Sequence, residues 1–450
     1  MKIKLSKPLS SRELDALYEK GGNTRAERVY THIATHSDEC DPETIFFALD
    51  GQHVPGDRFI PALAARGVCC VGRYALPNCY AVKSGRDALL SLASYYKTTH
   101  LASVVHTVGI TGSVGKTTTK DAVAIMLSER YRVHKTEKNH NSEIGLPLTI
   151  LQAPTDSEIL VLEMGINHPE EMSRLTRCAI PDVAIITNVG LAHIGNFGSR
   201  EAIAKEKSRI AISPSVPILA DAKEMLLSNL EGLVPVGEGG LYRLLAIESP
   251  TPSMLYLSET MQLTLPYPMP TADIHGALLL ALSVGERLSL TSEQMKNAAP
   301  RILSACGRRH EYQIVGIHVI DDSYNASLES MRLSLSVLSR QRGRTFAVLG
   351  DMLELGAYAE AIHEQLGHEI AKFDLSGVYY LGEMVNAVRH GAMACGYDPE
   401  RIVPLPKGAH KTCTEYILRD LRPGDHLLIK GAHSGELYRI REMLSEQTTK

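Results

Sequence analysis

The chain has 450 residues, 44% hydrophobic and 22% charged, proportions that argue against a disordered chain and fit soluble globular domains. At about 150 residues per domain this length predicts three domains, because a single core rarely grows past about 300 residues. The 47 basic and 51 acidic side chains leave a net charge of −4, and aromatic residues make up 5% with no Trp. That balance argues against a broad polyanion-binding surface or a stacking platform for single strands, so no nucleic-acid partner is expected.

The eight cysteines form no C-x-x-C pair and no zinc-like spacing, which reads as a reduced, cytoplasmic set. Residues Met1–Lys20 are interrupted by charges and lack a signal-peptide core. The longest apolar run, Ala277–Val284, is far short of the roughly 20 residues that span a bilayer. A cytoplasmic protein without a membrane partner is expected, with a monomer as the default state.

In chain order, residues 1–103 mix short apolar runs, Ile45–Leu49 and Gly67–Val71, with a helical stretch at Asp87–Tyr96. From Val104 the pattern changes. Val104–Ile110 reads as a buried strand, followed by a Gly-rich turn and a helix from Thr117 to about Arg130. Ile159–Glu163 and Val183–Thr187 are further strands ending in polar residues, which implies a parallel sheet with a ligand crevice at that end. Residues 312–450 alternate more cleanly. Strands are expected at Ile314–Ile320, Phe346–Leu349, Val378–Leu381, Ile402–Pro404 and His426–Ile429, with helices at Leu328–Leu338, Ala359–Phe373, Met384–Ala394, Ala409–Leu421 and Glu436–Glu446. This is a doubly wound, Rossmann-like pattern, but no G-x-G-x-x-G follows its first strand, so it signals no dinucleotide site.

The strongest local signal is Gly109-Ile-Thr-Gly-Ser-Val-Gly-Lys-Thr-Thr-Thr119 between a strand and a helix. Glycines let backbone N–H groups wrap around phosphate oxygens, and the helix N-terminus adds positive potential. Lys116 can reach the β- and γ-phosphates and the Thr117 hydroxyl can ligate Mg²⁺. A strict P-loop has Gly at position 110, where this chain has Ile. Gly112, Ser113, Gly115, Lys116, Thr117 and Thr118 form the candidate ATP set. Glu163 closes a strand of the same sheet and is a candidate Mg²⁺ ligand. His193 reads from general chemistry as a packed or surface residue, since Mg²⁺ prefers oxygen. Lys207, in Ala204-Lys-Glu-Lys207, reads as a helical surface charge. The polar tract Lys138–Pro147 is either a ligand-binding loop or a turn.

Together these segments resemble the Mur ligase family. The resemblance rests on Gly109–Thr119, Asn139–Pro147, Glu163-Met-Gly165, Ile186–His193, Gly198–Lys207, Gly307-Arg308, Asp321-Asp-Ser-Tyr-Asn325, Gly350–Gly356 and Lys430-Gly431, in family order. Asn139–Pro147, Asp321–Asn325 and Gly350–Gly356 point to the members that take D-alanyl-D-alanine. What the resemblance implies is an α/β ligase of three domains: a small N-terminal substrate domain at 1–103, a central P-loop ATPase domain with a mostly parallel sheet at 104–311, and a C-terminal Rossmann-like domain at 312–450. The substrates implied are ATP, a UDP-linked muramoyl peptide and D-alanyl-D-alanine, with Mg²⁺.

By position, the resemblance makes Lys116, Lys207, His193 and Arg308 catalytic, and Thr117, Glu163, His193 and Lys207 metal-organising, Lys207 through carbamylation. Asn188, Arg308, Asp322 and Asn325 join the nucleotide set. Ser37, Asn139, Asn141, Glu143, Asp351 and Glu354 fall in the substrate set. Two N-terminal motifs depart from the family: His36-Ser37-Asp38 stands for Asp-Ser-Arg, and Pro55-Gly56-Asp57 for Asp-Gly-His. The alternatives are a Mur-type ligase acting on another carboxylate and a nucleotide-binding switch without catalysis.

Overall fold

The fold was obtained as a computed structural model that describes residues 1–21, 27–51, 54–248, 251–306 and 311–447. Among these residues the chain builds three six-stranded sheets and one three-stranded sheet. The first sheet holds β1 (Lys2–Ser10), β2 (Glu19–Gly21), β3 (Val29–Ala34), β4 (Thr44–Phe47), β5 (Cys69–Gly72) and β6 (Cys79–Ala81), in the order β1-β3-β4-β5-β6-β2. Its four central strands are parallel, and β1 and β2 join antiparallel at the edges. The helix Gly85–His100 starts at Ser84, whose hydroxyl accepts from Asp87 N, and buries Leu89, Leu92, Ala93 and Tyr96. Their three- and four-residue spacing is one helix face. The same helix packs on Gly145–Leu151 and Glu171–Ala179 and so joins the first sheet to the second.

The second sheet is wholly parallel, with β7 (His106–Thr111), β8 (Val133–Lys135), β9 (Ile159–Glu163), β10 (Val183–Ile186), β11 (Ile218–Asp221) and β12 (Leu233–Val236) ordered β12-β11-β10-β7-β9-β8. The chain leaves β7 toward one side, by β8 and β9, and later returns to its other side through β10. That reversal opens a crevice at the carboxyl ends of β7, β9 and β10, where ligands of doubly wound sheets bind. The Gly-rich turn, Glu163 and Thr187-Asn188 all lie there. The helix Lys116–Leu127 is covered by helices Ala272–Arg287 and Ser292–Cys306. A three-stranded antiparallel sheet, β13 (Arg243–Ile247), β14 (Ser253–Leu257) and β15 (Gln262–Leu265), completes this part.

The last sheet, β16 (Glu311–Ile314), β17 (Ile317–Asp322), β18 (Thr345–Gly350), β19 (Gly377–Leu381), β20 (Ile402–Leu405) and β21 (His426–Lys430), runs β16-β17-β21-β18-β19-β20. Helices Leu328–Leu338 and Ala359–Phe373 fall where the sequence places them. The single strand expected at Ile314–Ile320 is instead a hairpin. Val315 and Gly316 have φ of 52° and 76°, and β16 turns back antiparallel onto β17. An apolar run reads straight through this turn because Val is an unusual residue for positive φ. Replacing it with a residue that tolerates this conformation relieves strain of about 1 kcal/mol. Val315→Asn is therefore expected to raise the urea midpoint of unfolding; an unchanged or lowered midpoint would refute the strained turn.

Candidate active site

The site begins where β7 ends. Gly112 and Gly115 have φ of 152° and 79°, and Gly115 caps the helix that Lys116 starts. A Cβ on Gly112 would lie 1.8 Å from the Thr187 hydroxyl, so the loop can lie against β10 only without a side chain. Asn188 holds the loop from that side. Its Oδ1 accepts from Ser113 N at 3.1 Å and Val114 N at 3.0 Å, while its Nδ2 donates to Val114 O at 2.9 Å. The Thr187 hydroxyl donates to the same carbonyl at 2.6 Å, and Gly190 N donates to the Ser113 hydroxyl at 2.8 Å. Lys116 curls back, donating to Gly112 O at 2.8 Å, which keeps its ammonium over the loop.

On the other side of β7, the Glu163 carboxylate is buried, with 2% of the residue exposed. Its Oε2 accepts from the Thr117 hydroxyl at 2.9 Å and its Oε1 from Asn141 Nδ2 at 2.8 Å. Thr136, one residue past β8, receives Glu163 N at 2.9 Å. The tract that begins at Lys138 is thus tied to the nucleotide loop, and Gly165 N donates to Asn141 O at 2.8 Å. Asn139 is exposed on this loop. Glu143 is buried and pairs with Arg86 Nη1 at 3.0 Å and with Arg174 Nε; its carboxylate faces these two arginines.

Residues 188–198 form the third wall, and the last sheet's loops dock on it. His193, with φ 63°, pairs through Nδ1 with Glu354, itself at φ 60°. Gly195 N donates to Glu354 O at 3.0 Å, and Tyr358 OH to Gly198 O at 2.6 Å. Leu191 N donates to Glu329 Oε1 at 2.8 Å. Glu329 escapes a sequence reading that looks for motifs. Its only signal is its place in the first turn of Leu328–Leu338, behind the capping box of Ser327 and Ser330.

Three groups here are moved from their ordinary protonation. Burial pulls Lys116 down, opposed by Glu163. Burial also lowers His193 against the pull of Glu354, with Lys116 and Lys207 adding to the lowering. Lys207, expected from pattern alone to be a surface charge, is buried at 3% exposure. Burial pushes it well below the usual lysine value, Lys116 pushes the same way and Glu329 opposes.

Other sequence candidates lie at separate strand ends. Asp322 accepts from the buried Lys430 ammonium at 2.6 Å, and Lys430 also donates to Asn325 O at 3.0 Å. The Asp351 carboxylate holds the turn after β19, accepting from Tyr380 OH at 2.8 Å and Glu383 N at 2.9 Å. Ser37 is half-buried in the first part of the chain and donates to Asp38 at 3.2 Å. Thr118 sits half-buried in the first helical turn, and Arg308 lies outside the described residues. Among the described residues no group of three His, Cys, Asp or Glu side chains gathers to hold a metal. A divalent ion beside Glu163 would therefore have one carboxylate and the Thr117 hydroxyl as oxygen donors from this chain, to which a nucleotide adds the phosphate oxygens that Mg²⁺ prefers. No helix among them is long and apolar enough to cross a membrane.

A P-loop at the switch point of a parallel sheet, flanked by a smaller mixed sheet and a docked Rossmann-like sheet, is the architecture of a three-part ATP-dependent ligase. The Mur ligase middle domain matches residues 110–223, and the Mur ligase glutamate ligase domain matches 307–433. The UDP-N-acetylmuramoyl-tripeptide–D-alanyl-D-alanine ligase of Bacillus subtilis is 30% identical over 94% of this chain and 95% of its own length. That of Treponema pallidum is 31% identical over 94% and 96%. The chain belongs to the Mur ligase family. Among solved structures, MurF from Acinetobacter baumannii superposes with a TM-score of 0.85 at 24% identity, covering 99% of this chain and 100% of that one. MurF from Thermotoga maritima in complex with ADP gives 0.78 at 25%, covering 97% and 99%.

Gly112 tests the loop. A methyl forced against Thr187 costs about 1–3 kcal/mol, or roughly tenfold in affinity at a site that must keep its shape. Gly112→Ala is expected to weaken ADP binding by that factor in calorimetry while the melting transition stays cooperative. Unchanged affinity would show that the loop's contact with β10 does not matter.

Proposed function

We propose that this chain is an ATP-dependent amide ligase joining D-alanyl-D-alanine to a UDP-N-acetylmuramoyl-tripeptide, a step in building peptidoglycan precursors. The observation that carries the reading is one network, Thr117–Glu163–Asn141 beside Lys116, in a chain whose relatives bear that name along nearly its whole length. We assign residues 1–103 to the UDP-linked acyl donor, 104–311 to ATP and 312–450 to the incoming dipeptide. The helix Gly85–His100, packed against the central helices, supports the first of these assignments.

The reaction sets an electrostatic problem. A carboxylate oxygen of the acyl donor attacks the γ-phosphorus of ATP, the bond to the β,γ-bridging oxygen breaks, and ADP leaves an acyl phosphate. The amine of the dipeptide then attacks the acyl carbon, phosphate leaves and the amine loses a proton. Two anions must approach in the first step, so the site needs fixed positive charge. Lys116 supplies it by leaving the Gly112 carbonyl for the γ-phosphate. Magnesium, when bound with ATP, offsets charge on the phosphate oxygens; Thr117 Oγ1, Glu163 and Nε2 of His193 are the groups that would hold it. With Nδ1 engaged by Glu354 and burial disfavouring its charged form, His193 keeps Nε2 available as a lone-pair donor.

Lys207 fits the same demand in another way. Burial shifts Lys207 toward its neutral amine, the form whose nitrogen adds to carbon dioxide, losing a proton to give a carbamate. This exchanges a buried cation beside Lys116 for an anion that attracts it. Acyl phosphates hydrolyse readily, so water must be kept out. The bonds from Glu329, Glu354 and Tyr358 to residues 191–198 are the contacts through which the last sheet would close the site.

A ligase for a different carboxylate is the second reading, prompted by the altered N-terminal motifs. Asp57, at the position where the family has His, has only 9% exposure. It accepts Arg73 N at 2.8 Å and pairs with Arg73 Nη1 at 3.4 Å. Its charge is spent inside the fold, whereas Asp38, at the position where the family has Arg, is exposed.

Lys116→Ala is expected to cut ADP release with both substrates present by roughly 100–1,000-fold; activity within a few-fold of wild type would sink the P-loop assignment. Lys207→Ala should be inactive and partly rescued by short carboxylic acids that replace the carbamate. A folded variant that no acid rescues would leave Lys207 without that role.

A further inference from the structure

On the last sheet, away from the nucleotide loop, two histidines stand side by side. His318 lies at the start of β17 and His426 at the start of β21, and they are register partners on these neighbouring parallel strands. Partners in register project to one face, and here the imidazoles stack, with centroids 4.7 Å apart and planes 14° apart. They line a cavity of about 240 Å³ together with Glu311 and Gln313 of β16 and Gln341. Gln313 is the partner of His318 on its other side, so Gln313, His318 and His426 form one row across three strands. The surroundings also set the tautomer of His426. Its Nε2 lies 3.1 Å from Arg342 O. A carbonyl oxygen only accepts, so in the neutral ring Nε2 carries the proton and Nδ1 keeps its lone pair. A backbone carbonyl on one ring nitrogen is the arrangement that orients metal-ligating histidines. Neither Nδ1 of His426 nor either nitrogen of His318 has a hydrogen-bond partner among the described residues.

Two imidazole lone pairs beside an open carboxylate make a mixed nitrogen and oxygen donor set. Magnesium prefers oxygen alone, whereas imidazole suits zinc and its neighbours in the transition series. We propose that His318 and His426 form a site for a divalent transition-metal ion, zinc by preference, with Glu311 and water completing its coordination. Zn–N bonds of about 2.0–2.1 Å at a tetrahedral angle place two ligand nitrogens about 3.3 Å apart. The rings reach that spacing by tilting their edges together, a small turn for the exposed His318 and the half-buried His426. Glu311 is exposed two residues from Gln313 and joins by swinging in, since among the described residues no third acidic, His or Cys side chain is gathered with the pair. The site is separate from the reaction centre. The pairing of His318 with His426 comes four residues before that of Asp322 with Lys430 on the same two strands, about 13 Å away at the rise of a strand. The ion ties β17, and with it the hairpin to β16, to β21 at the end of the sheet remote from the nucleotide. The inference does not depend on the proposed function, because it concerns the stability of the last sheet.

The test is a calorimetric titration of zinc into the nucleotide-free protein. One zinc site is expected that His318→Ala and His426→Ala each weaken by roughly tenfold or more, that His193→Ala leaves in place, and from which excess magnesium does not displace zinc. Zinc should raise the melting temperature of the wild type more than that of His318→Ala, since only the former binds it at this site. His318 is exposed, so its variant decides the matter even where His426→Ala folds poorly. ADP release with magnesium should be the same in His318→Ala as in the wild type. Equal zinc affinity and stoichiometry in the wild type and His318→Ala would overturn the site, and a loss of ADP release in His318→Ala would overturn its separation from the reaction centre.

Discussion

Glu163 is the point on which the P-loop and residues 138–145 both depend. A buried carboxylate is costly unless its oxygens are satisfied, and here each oxygen has one partner, Thr117 on the P-loop helix and Asn141 on the tract after β8. The position of β9 in the sheet therefore sets two things at once, the start of the phosphate-binding helix and the course of residues 138–145. From Asn141 the constraint runs on through the Gly145–Leu151 helix to the first sheet, and through Glu143 to Arg86 and Arg174. One buried carboxylate thus ties the P-loop helix to the region where the first and second sheets meet.

A second coupling runs the other way from β10. Asn188 shapes the P-loop through three hydrogen bonds, while Leu191, Gly195 and Gly198, a few residues later, bind the last sheet's loops. One short segment thus touches the phosphate loop at one end and the docked part at the other. A phosphate that adjusts the loop would be felt at the docking contacts through covalent continuity, over a distance of ten residues of chain.

Much of this was legible in the sequence because the signals are local. Glycines at positions 112 and 115, a lysine and a threonine after them, and apolar runs ending in Glu163 and Thr187 give the P-loop and its sheet. Clean alternation gives the helices of the last sheet to within a few residues. What pattern reading missed depends on tertiary contact. Lys207 looks like a surface charge because its helix carries Lys205 and Glu206 beside it; burial by neighbouring segments reverses that reading. The hairpin at Val315 is hidden by an apolar residue in a turn, and β13–β15 by short edge-type strands with weak periodicity. Glu143 was marked for substrate on its motif, whereas its partners, Arg86 and Arg174, lie 57 and 31 residues away and show only in three dimensions.

The electrostatics of the centre explain why a chain of nearly neutral charge can handle polyphosphate. Lys116 lies near enough to the buried Lys207 to disfavour its charge, and Glu329 brings a compensating carboxylate from the docked part, with its Oε2 buried and unbonded among the described residues. Two crowded cations and a half-satisfied anion are each unfavourable alone. Phosphate oxygens beside Lys116 and a carbamate formed on Lys207 from carbon dioxide would relieve the cation crowding. The strain is confined to a few side chains held by rigid strand ends, so the rest of the surface can stay balanced. Attraction for anions is thereby concentrated beside the P-loop.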